Sequence, residues 1–164
     1  MRRLTPVLAL VLALAVAAPT AARSSDPSIV DVAISVNAQS GEFDHLIAAV
    51  TAAGLAPALD RNRQLTVFAP TDAAFEELFA TLGVSRVADI PTATLQQVLL
   101  HHVVPGRRLS GSVVAADRLR TLDRGFLMPS ARGGSAYVDD AAIVAADVTA
   151  ANGVIHVIDQ VLLP

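Results

Sequence analysis

The sequence predicts an α+β domain in which helices come first and strands follow. Apolar residues recur at helical spacing up to about Leu99, whereas short apolar runs between turn residues fill the chain after Leu109. A nearly continuous apolar run from Val154 to Leu163 is typical of a central strand that is covered on both faces. Because helices and strands segregate, this order favours an α+β fold over an alternating parallel-sheet fold.

The N-terminal residues predict an exported protein. Residues 1–22 combine two arginines, an apolar run and a small-residue end, which is typical of a signal peptide. The run is too short for a stable membrane span. We expect residues 23–28 to be a flexible lead-in and residues 29–164 to form one domain, secreted or periplasmic.

Composition narrows the function classes further. The 164 residues include no cysteine, so disulfides, thiolate metal sites and thiol nucleophiles are excluded. Loss of Arg2 and Arg3 with the leader would change the formal net charge from −3 to −5. An acidic domain without a basic stripe is a poor ligand for nucleic acid or anionic lipid. Its basic residues are all arginines, which fits a bacterial gene of high GC content.

The first two helices are predicted from their caps and apolar stripes. Ser28 and Asp31 form a capping box at the start of the first. Gly54 is placed to end the second in the left-handed conformation. The residues at helical spacing are Ile29, Val32, Ala33, Val36, Phe43, Leu46, Ile47 and Val50.

A strand and two more helices follow. Leu65–Ala69 is a short run of strand-forming residues, and Thr71 is a favourable N-cap for the next helix, which ends at Gly83. Thr94 and Gln97 predict a second capping box and a fourth helix. After Leu109, glycine, proline and aspartate separate runs of about 5–8 residues, as expected of antiparallel strands and hairpins.

Three segments resemble the signature motifs of the fasciclin domain. They are Leu65–Phe75, Leu99–Gly106 and Asn152–Leu163, in the family's order and spacing, and the resemblance covers Ile29 to Leu163. It implies a wedge-like β-sandwich of about seven strands with helices packed along one side. It also implies a non-enzymatic module of cell adhesion and of matrix or envelope organisation that binds proteins or glycans.

Most polar residues of these motifs are interpreted as structural: Thr71, Asp72, His102, Asn152, Gly153 and His156. We expect His102 to hydrogen-bond backbone near Thr71 or Asp72, since buried polar groups need partners. His101 replaces the family's usual tyrosine and is expected to point elsewhere, because successive strand residues alternate faces. Alternatively, the histidine pair contributes to an adhesion surface of the kind proposed for animal members.

Two further regions are candidates for partner binding. Asp147 and Val148 lie where animal relatives carry a Glu-Pro-Asp-Ile type adhesion sequence, although Asp147 alternatively serves a turn. Phe126, Leu127 and Met128 form an apolar run that cannot all face inward from one strand, so part of it is expected at the surface. Together with Tyr137 they are the preferred binding residues, with core packing as the alternative.

The resulting functional prediction is an exported, non-catalytic module that binds a protein or polysaccharide at the cell envelope or extracellular matrix. The sequence has no Gly-x-Ser-x-Gly elbow and no phosphate-binding glycine loop, and its histidines do not converge. We therefore expect no catalytic residue, cofactor or metal, and leave the oligomeric state open. A carrier with an apolar pocket on the order of several hundred Å³ is one alternative. An unrecognised enzyme or metalloprotein is another.

Overall fold

A computed structural model describes residues 27–59 and 64–164. The predicted signal peptide and most of the lead-in lie outside the described residues. The helices are α1 Ile29–Ser40, α2 Asp44–Ala52, α3 Ala56–Leu59, α4 Asp72–Leu82, α5 Thr92–His101 and α6 Ser110–Ala115. The strands are β1 Leu65–Pro70, β2 Val103–Pro105, β3 Leu119–Arg120, β4 Phe126–Leu127, β5 Pro129–Arg132, β6 Ser135–Val138, β7 Ala141–Ala150 and β8 Gly153–Ile158.

A six-stranded mixed sheet organises the domain, in the order β2-β1-β8-β7-β6-β5. Strand β8 pairs in parallel with β1 and antiparallel with β7, and all six of its residues are buried. Strands β3 and β4 form a separate two-stranded hairpin. The predicted α+β fold and the central, doubly covered position of the last strand are confirmed.

The two faces of the sheet border two different cores. In β1, Val67 and Ala69 face the cluster that the helices α1, α2, α4 and α5 cover. Phe68 faces the opposite cluster, which includes Leu119 and Leu127 of the β3–β4 hairpin. This alternation follows from the period of two along a strand. The hairpin is therefore a second layer over the sheet, packed on the face away from the long helices.

Strand β7 connects the two halves of the six-stranded sheet. Its pairing with β8 has register shifts between Ile143 and Ala145 and between Ala145 and Val148. Asp147 lies within the second shift and has a left-handed φ of 58°. Such bulges bend a strand and increase its twist, so one chain segment joins β8 on one side to β6 on the other.

Several local predictions are confirmed. The side chain of Ser28 accepts from the amide of Asp31, whose carboxylate accepts in return, so the capping box of α1 is present. Thr71 accepts from the amide of Ala74 at the start of α4. Gly83 ends α4 in the left-handed conformation.

Other local predictions are wrong. Helix α5 begins at Thr92, after Pro91, so Thr94 is inside the helix and does not cap it. Residues 110–115 form helix α6 where only strands and hairpins were expected. Strand β8 ends at Ile158 and does not continue to Leu163. The end of a short element depends on distant partners, which a local pattern does not contain.

Candidate functional site

His102 is a buried structural residue. Its ring is 2% exposed. The amide of Leu162 donates to Nε2 at 2.8 Å, so the proton is on Nδ1, which donates to the carbonyl of Val98 at 2.6 Å. Burial lowers the pKa of His102 to about 4, against the raising effect of the Val98 carbonyl. The expected bond to Thr71 or Asp72 is wrong: the ring joins the end of α5 to the chain after β8.

His156 is equally inaccessible. The amide of Asp147 donates to Nδ1 at 3.2 Å, and Nε2 lies 2.9 Å from the carbonyl of Arg108. The ring stacks on Phe68 with a centroid distance of 5.5 Å. Both ring nitrogens are engaged with backbone, so His156 connects β8 to β7 and to the segment before α6.

Thr71 and Asp72 each accept a hydrogen bond from a backbone amide in the first turn of a helix. Thr71 caps its own helix, whereas the carboxylate of Asp72 accepts from the amide of His45 at 2.9 Å in the first turn of α2. Carboxylates are favourable at helix N-termini, where backbone amides lack partners. The motif thereby couples α4 to α2.

Asn152 and Gly153 fix the position of the first residues of β8 against α1, α3 and β1. The side chain of Asn152 accepts from the amide of Ile29 at 2.7 Å and donates to the carbonyl of Leu59 at 2.6 Å. A Cβ at Gly153 would lie 1.8 Å from the carbonyl oxygen of Leu65. Close approach of β8 to β1 therefore requires glycine at this position.

The assumption that His101 is a strand residue is wrong. It is the last residue of α5, and its side chain is 5% exposed. Its Nδ1 lies 3.0 Å from a carboxylate oxygen of Asp123 in the turn of the β3–β4 hairpin. A Cβ at Gly125 would come within 2.8 Å of the ring. His101 is therefore a buried contact between helix and hairpin, and a partner cannot reach its ring from outside.

Asp123 organises the hairpin turn. Burial raises the pKa of this carboxyl, but hydrogen bonds from Thr121 and Gly125 and the neighbouring His101 outweigh it and lower the pKa below its usual value. The amide of Leu122 also donates to the carbonyl of Val103 at 2.9 Å. The hairpin is thus fixed to the end of α5 and to β2.

Asp147 and Val148 also have internal partners. One carboxylate oxygen of Asp147 accepts from the amide of Ser110 at 2.7 Å, and the other accepts from its hydroxyl at 2.8 Å. These bonds lower the pKa of Asp147, with a smaller contribution from His156. Val148 packs against the helix-side core. The pair therefore stabilises α6 and β7, and the Asp147 carboxylate is engaged in this contact.

The apolar run at residues 126–128 alternates between surface and core. Phe126 is 47% exposed and Met128 is 57% exposed, whereas Leu127 is fully buried. Leu127 is therefore a core residue and is removed from the predicted binding set, because a partner cannot reach it. Phe126 and Met128 lie at the surface, as a two-residue period requires.

Two arginine side chains lie beside Phe126. The guanidinium of Arg118 lies 4.7 Å from the centroid of the Phe126 ring, and Arg120 is the direct cross-strand neighbour of Phe126. Directly opposed residues point to the same face. We call Arg118, Arg120, Phe126 and Met128 the hairpin surface.

Tyr137 forms a separate pair with Arg132 on the β5–β6 strands. It is half-buried in β6, opposite Ser130 of β5. The guanidinium of Arg132 lies 5.6 Å from its ring centroid. The sequence patterns did not indicate the arginines of either pair as site residues, although Arg118 and Arg120 stand at alternate positions in the segment before the apolar run.

An apolar cavity lies on the other side of the domain, between α1, α2 and the sheet. Its volume is about 90 Å³. Aliphatic side chains line it, among them Ile34, Leu46 and Ile155, and Thr51 is its one polar lining residue. It is much smaller than the several hundred Å³ expected for a carrier.

Residues 27–59 and 64–164 contain no group of three or more histidine, aspartate or glutamate side chains arranged to hold a metal ion. No helix in the described part of the chain has the length and apolar character needed to cross a membrane.

Comparisons with known proteins agree with this architecture. Protein sll1483 of Synechocystis is 40% identical over 144 residues, which are 88% of this chain and 77% of that protein. The transforming growth factor-beta-induced protein ig-h3 of Sus scrofa is 36% identical over 122 residues, 74% of this chain but 18% of its own length. The FAS1 domain pair of the insect cell adhesion molecule Fasciclin I superposes with a TM-score of 0.68 at 15% identity, covering 84% of this chain and 51% of that chain.

The family profile described as Fasciclin domain matches residues 41–164. The match includes all three motifs, whose polar side chains support the sheet and the helix starts. The chain therefore belongs to the fasciclin domain family.

Proposed function

We propose that this chain is an exported, non-catalytic recognition module of the adhesion type, which binds a protein or polysaccharide at the cell envelope or in the extracellular matrix. The observation that carries the proposal is the hairpin surface, where Phe126 and Met128 are exposed on either side of the buried Leu127. Clusters of large exposed apolar side chains are typical of partner sites.

Export rests on the predicted signal peptide at residues 1–22. The proposed division into a lead-in at 23–28 and a domain at 29–164 rests on the helix start at Ser28. An adhesion role is supported by the fold shared with Fasciclin I, a cell adhesion molecule. Neither observation identifies a partner, so the residues of the contact are inferred from surface chemistry.

The motif histidines are poor candidates for the contact. His101 and His102 are buried, and their hydrogen bonds hold the hairpin and the segment after β8. A partner could reach His101 only after the hairpin had separated from α5. The same engagement argues against a general acid or base at these positions, since such a group must reach its substrate.

The apolar cavity supports the carrier alternative only weakly. An engineered cavity of about 150 Å³ holds one benzene molecule, and the cavity here is about 90 Å³. A lipid chain would require this cavity to enlarge. Recognition at the surface requires no such rearrangement.

A bead-adhesion assay with the mature domain tests the proposal. Beads coated with the protein should bind envelope fractions or intact cells of the producing organism. The double variant F126S/M128S, which leaves the buried Leu127 intact, should bind far fewer. The matched control I34S/L82S changes two residues of similar exposure on α1 and α4 and should bind normally.

Thermal unfolding of each variant is measured alongside, so that only folded domains are compared. Equal adhesion by F126S/M128S and the unmodified domain would contradict the proposed surface. Loss of adhesion in I34S/L82S alone would move the contact to the helix side.

A further inference from the structure

We propose that the hairpin surface recognises an acidic segment of a partner protein, with Phe126 and Met128 receiving an apolar side chain of that segment. The inference rests on the proposed function, because it gives the chemical class of the partner for the same surface. Three observations carry it: unneutralised arginines, their arrangement around an aromatic ring, and the rigid attachment of the hairpin.

The hairpin concentrates positive charge on a chain that is negative overall. Arg118, Arg120 and Arg124 lie within residues 117–128, and the formal charge of the whole chain is −3. Of the two acids in this segment, Asp123 is buried against His101, which leaves Asp117 at the surface. Within residues 27–59 and 64–164, no carboxylate lies within ion-pair distance of these three arginines. Such a local excess of positive charge is complementary to an acidic ligand.

The arginines are arranged to bind carboxylates and to border an apolar contact. The Arg118 guanidinium lies over the Phe126 ring, and this contact restrains the arginine side chain. The N–H groups of the guanidinium point outward in its plane, so they can still donate to a ligand. Arg120 stands across the strand pair from the same ring. A planar guanidinium binds a carboxylate through two parallel hydrogen bonds. An acidic side chain on either flank of an apolar one therefore fits this face.

The hairpin is held before any partner arrives. Leu119 and Leu127 are buried beneath it, and Asp123 ties its turn to His101. A surface fixed in this way loses little conformational entropy on binding. We therefore expect recognition without rearrangement of the backbone.

A protein segment fits this surface better than an acidic polysaccharide. Arginine, aromatic residues and methionine are enriched where proteins meet one another. A flexible methionine side chain that is 57% exposed can pack around an apolar side chain. A uronate chain supplies carboxylates but no such side chain.

Fluorescence anisotropy with labelled peptides tests the inference on the mature domain. The probe is a glutamate-rich peptide that contains leucines, compared with the same peptide carrying serine for leucine and with one carrying lysine for glutamate. Polygalacturonate serves as an unlabelled competitor. We expect only the glutamate–leucine peptide to bind well, and its affinity to fall as salt is raised, because exposed charge pairs are screened.

Charge reversal locates the contact. R118E/R120E should weaken peptide binding about tenfold, since each exposed pair makes a modest contribution. The matched control R86E/R107E makes the same change in net charge at exposed arginines outside the hairpin and should bind within about twofold of the unmodified domain. F126S/M128S should reduce the preference for leucine over serine.

Several results would overturn the inference. They are salt-independent peptide binding, equal losses in the two charge-reversal variants, or equal binding of the serine peptide. Stronger binding of polygalacturonate than of the peptide would replace the protein partner with a glycan. The bead assay distinguishes failure of this inference from failure of the proposed function. If adhesion depends on Phe126 and Met128 but the acidic peptide does not bind, only this inference is refuted. Absence of adhesion by the unmodified domain refutes the proposed function, whereas adhesion that is independent of both residues refutes the hairpin surface as its contact.

Discussion

Acid should destabilise this domain through His102. The folded state holds the ring neutral, with Nδ1 donating to Val98 and Nε2 accepting from Leu162, and its pKa is about 4 against an ordinary 6.5. The unfolded chain binds a proton as pH falls through 6.5, whereas the folded chain does so only near 4. Stability from the neutral ring is therefore present above pH 6.5 and is lost as pH falls to about 4.

The size of this loss follows from the shift in pKa. One pKa unit corresponds to about 1.4 kcal/mol, so the interval between the two pKa values is worth about 3 kcal/mol. The variant H102Q keeps a polar group but cannot titrate in this range. It should be less stable than the unmodified domain at neutral pH, and the gap should shrink by about 3 kcal/mol as pH falls to 4.

Urea unfolding at a series of pH values measures the effect. The control H45Q removes a histidine whose ring is partly exposed beside Phe79, which separates loss of buried His102 from loss of any histidine. Parallel stability curves for H102Q and the unmodified domain would refute the reasoning. That result would mean that His102 titrates alike in the folded and unfolded chains.

Four further substitutions test the packing. G153A should destabilise the domain by about 3 kcal/mol or more, measured by urea unfolding, because its Cβ would lie 1.8 Å from the Leu65 carbonyl oxygen; normal stability would mean that β8 can move from β1. N152A should cost about 2–4 kcal/mol by the same measurement, since it removes two buried hydrogen bonds, and a cost below about 0.5 kcal/mol would contradict that role. L127A should cost about 2–5 kcal/mol and F126A less than about 1 kcal/mol, compared by thermal unfolding; equal costs would contradict the alternation of core and surface in β4.

The sequence patterns predicted the elements whose signals are local. Ser28 and Thr71 form caps with residues three positions away, and an apolar run of strand length predicts a buried strand wherever it lies. Helix α6 was missed because its first residue is bonded to Asp147, which lies 37 positions further along the chain. No spacing in residues 109–115 carries that information.

In the candidate site, too, local patterns predicted some features and long-range contacts decided the others. That residues 126–128 could not all be buried follows from strand alternation alone. Which of them faces outward depended on the pairing of β3 with β4 and on the core beneath the hairpin. His101 was misplaced because its position at the end of α5, and its contact with Asp123 22 positions later, depend on tertiary packing.

By itself, the sequence determined the class of the fold, the family resemblance and the position of the central strand, because periodicity and capping act over a few residues. The tertiary structure alone decided which polar residues are buried supports and which residues form a surface. That choice depends on long-range contacts: Asn152 with Leu59, His102 with Leu162, and the β3–β4 hairpin with α5. The sequence pattern indicates which residues can be buried. Which elements cover them is determined only by tertiary packing.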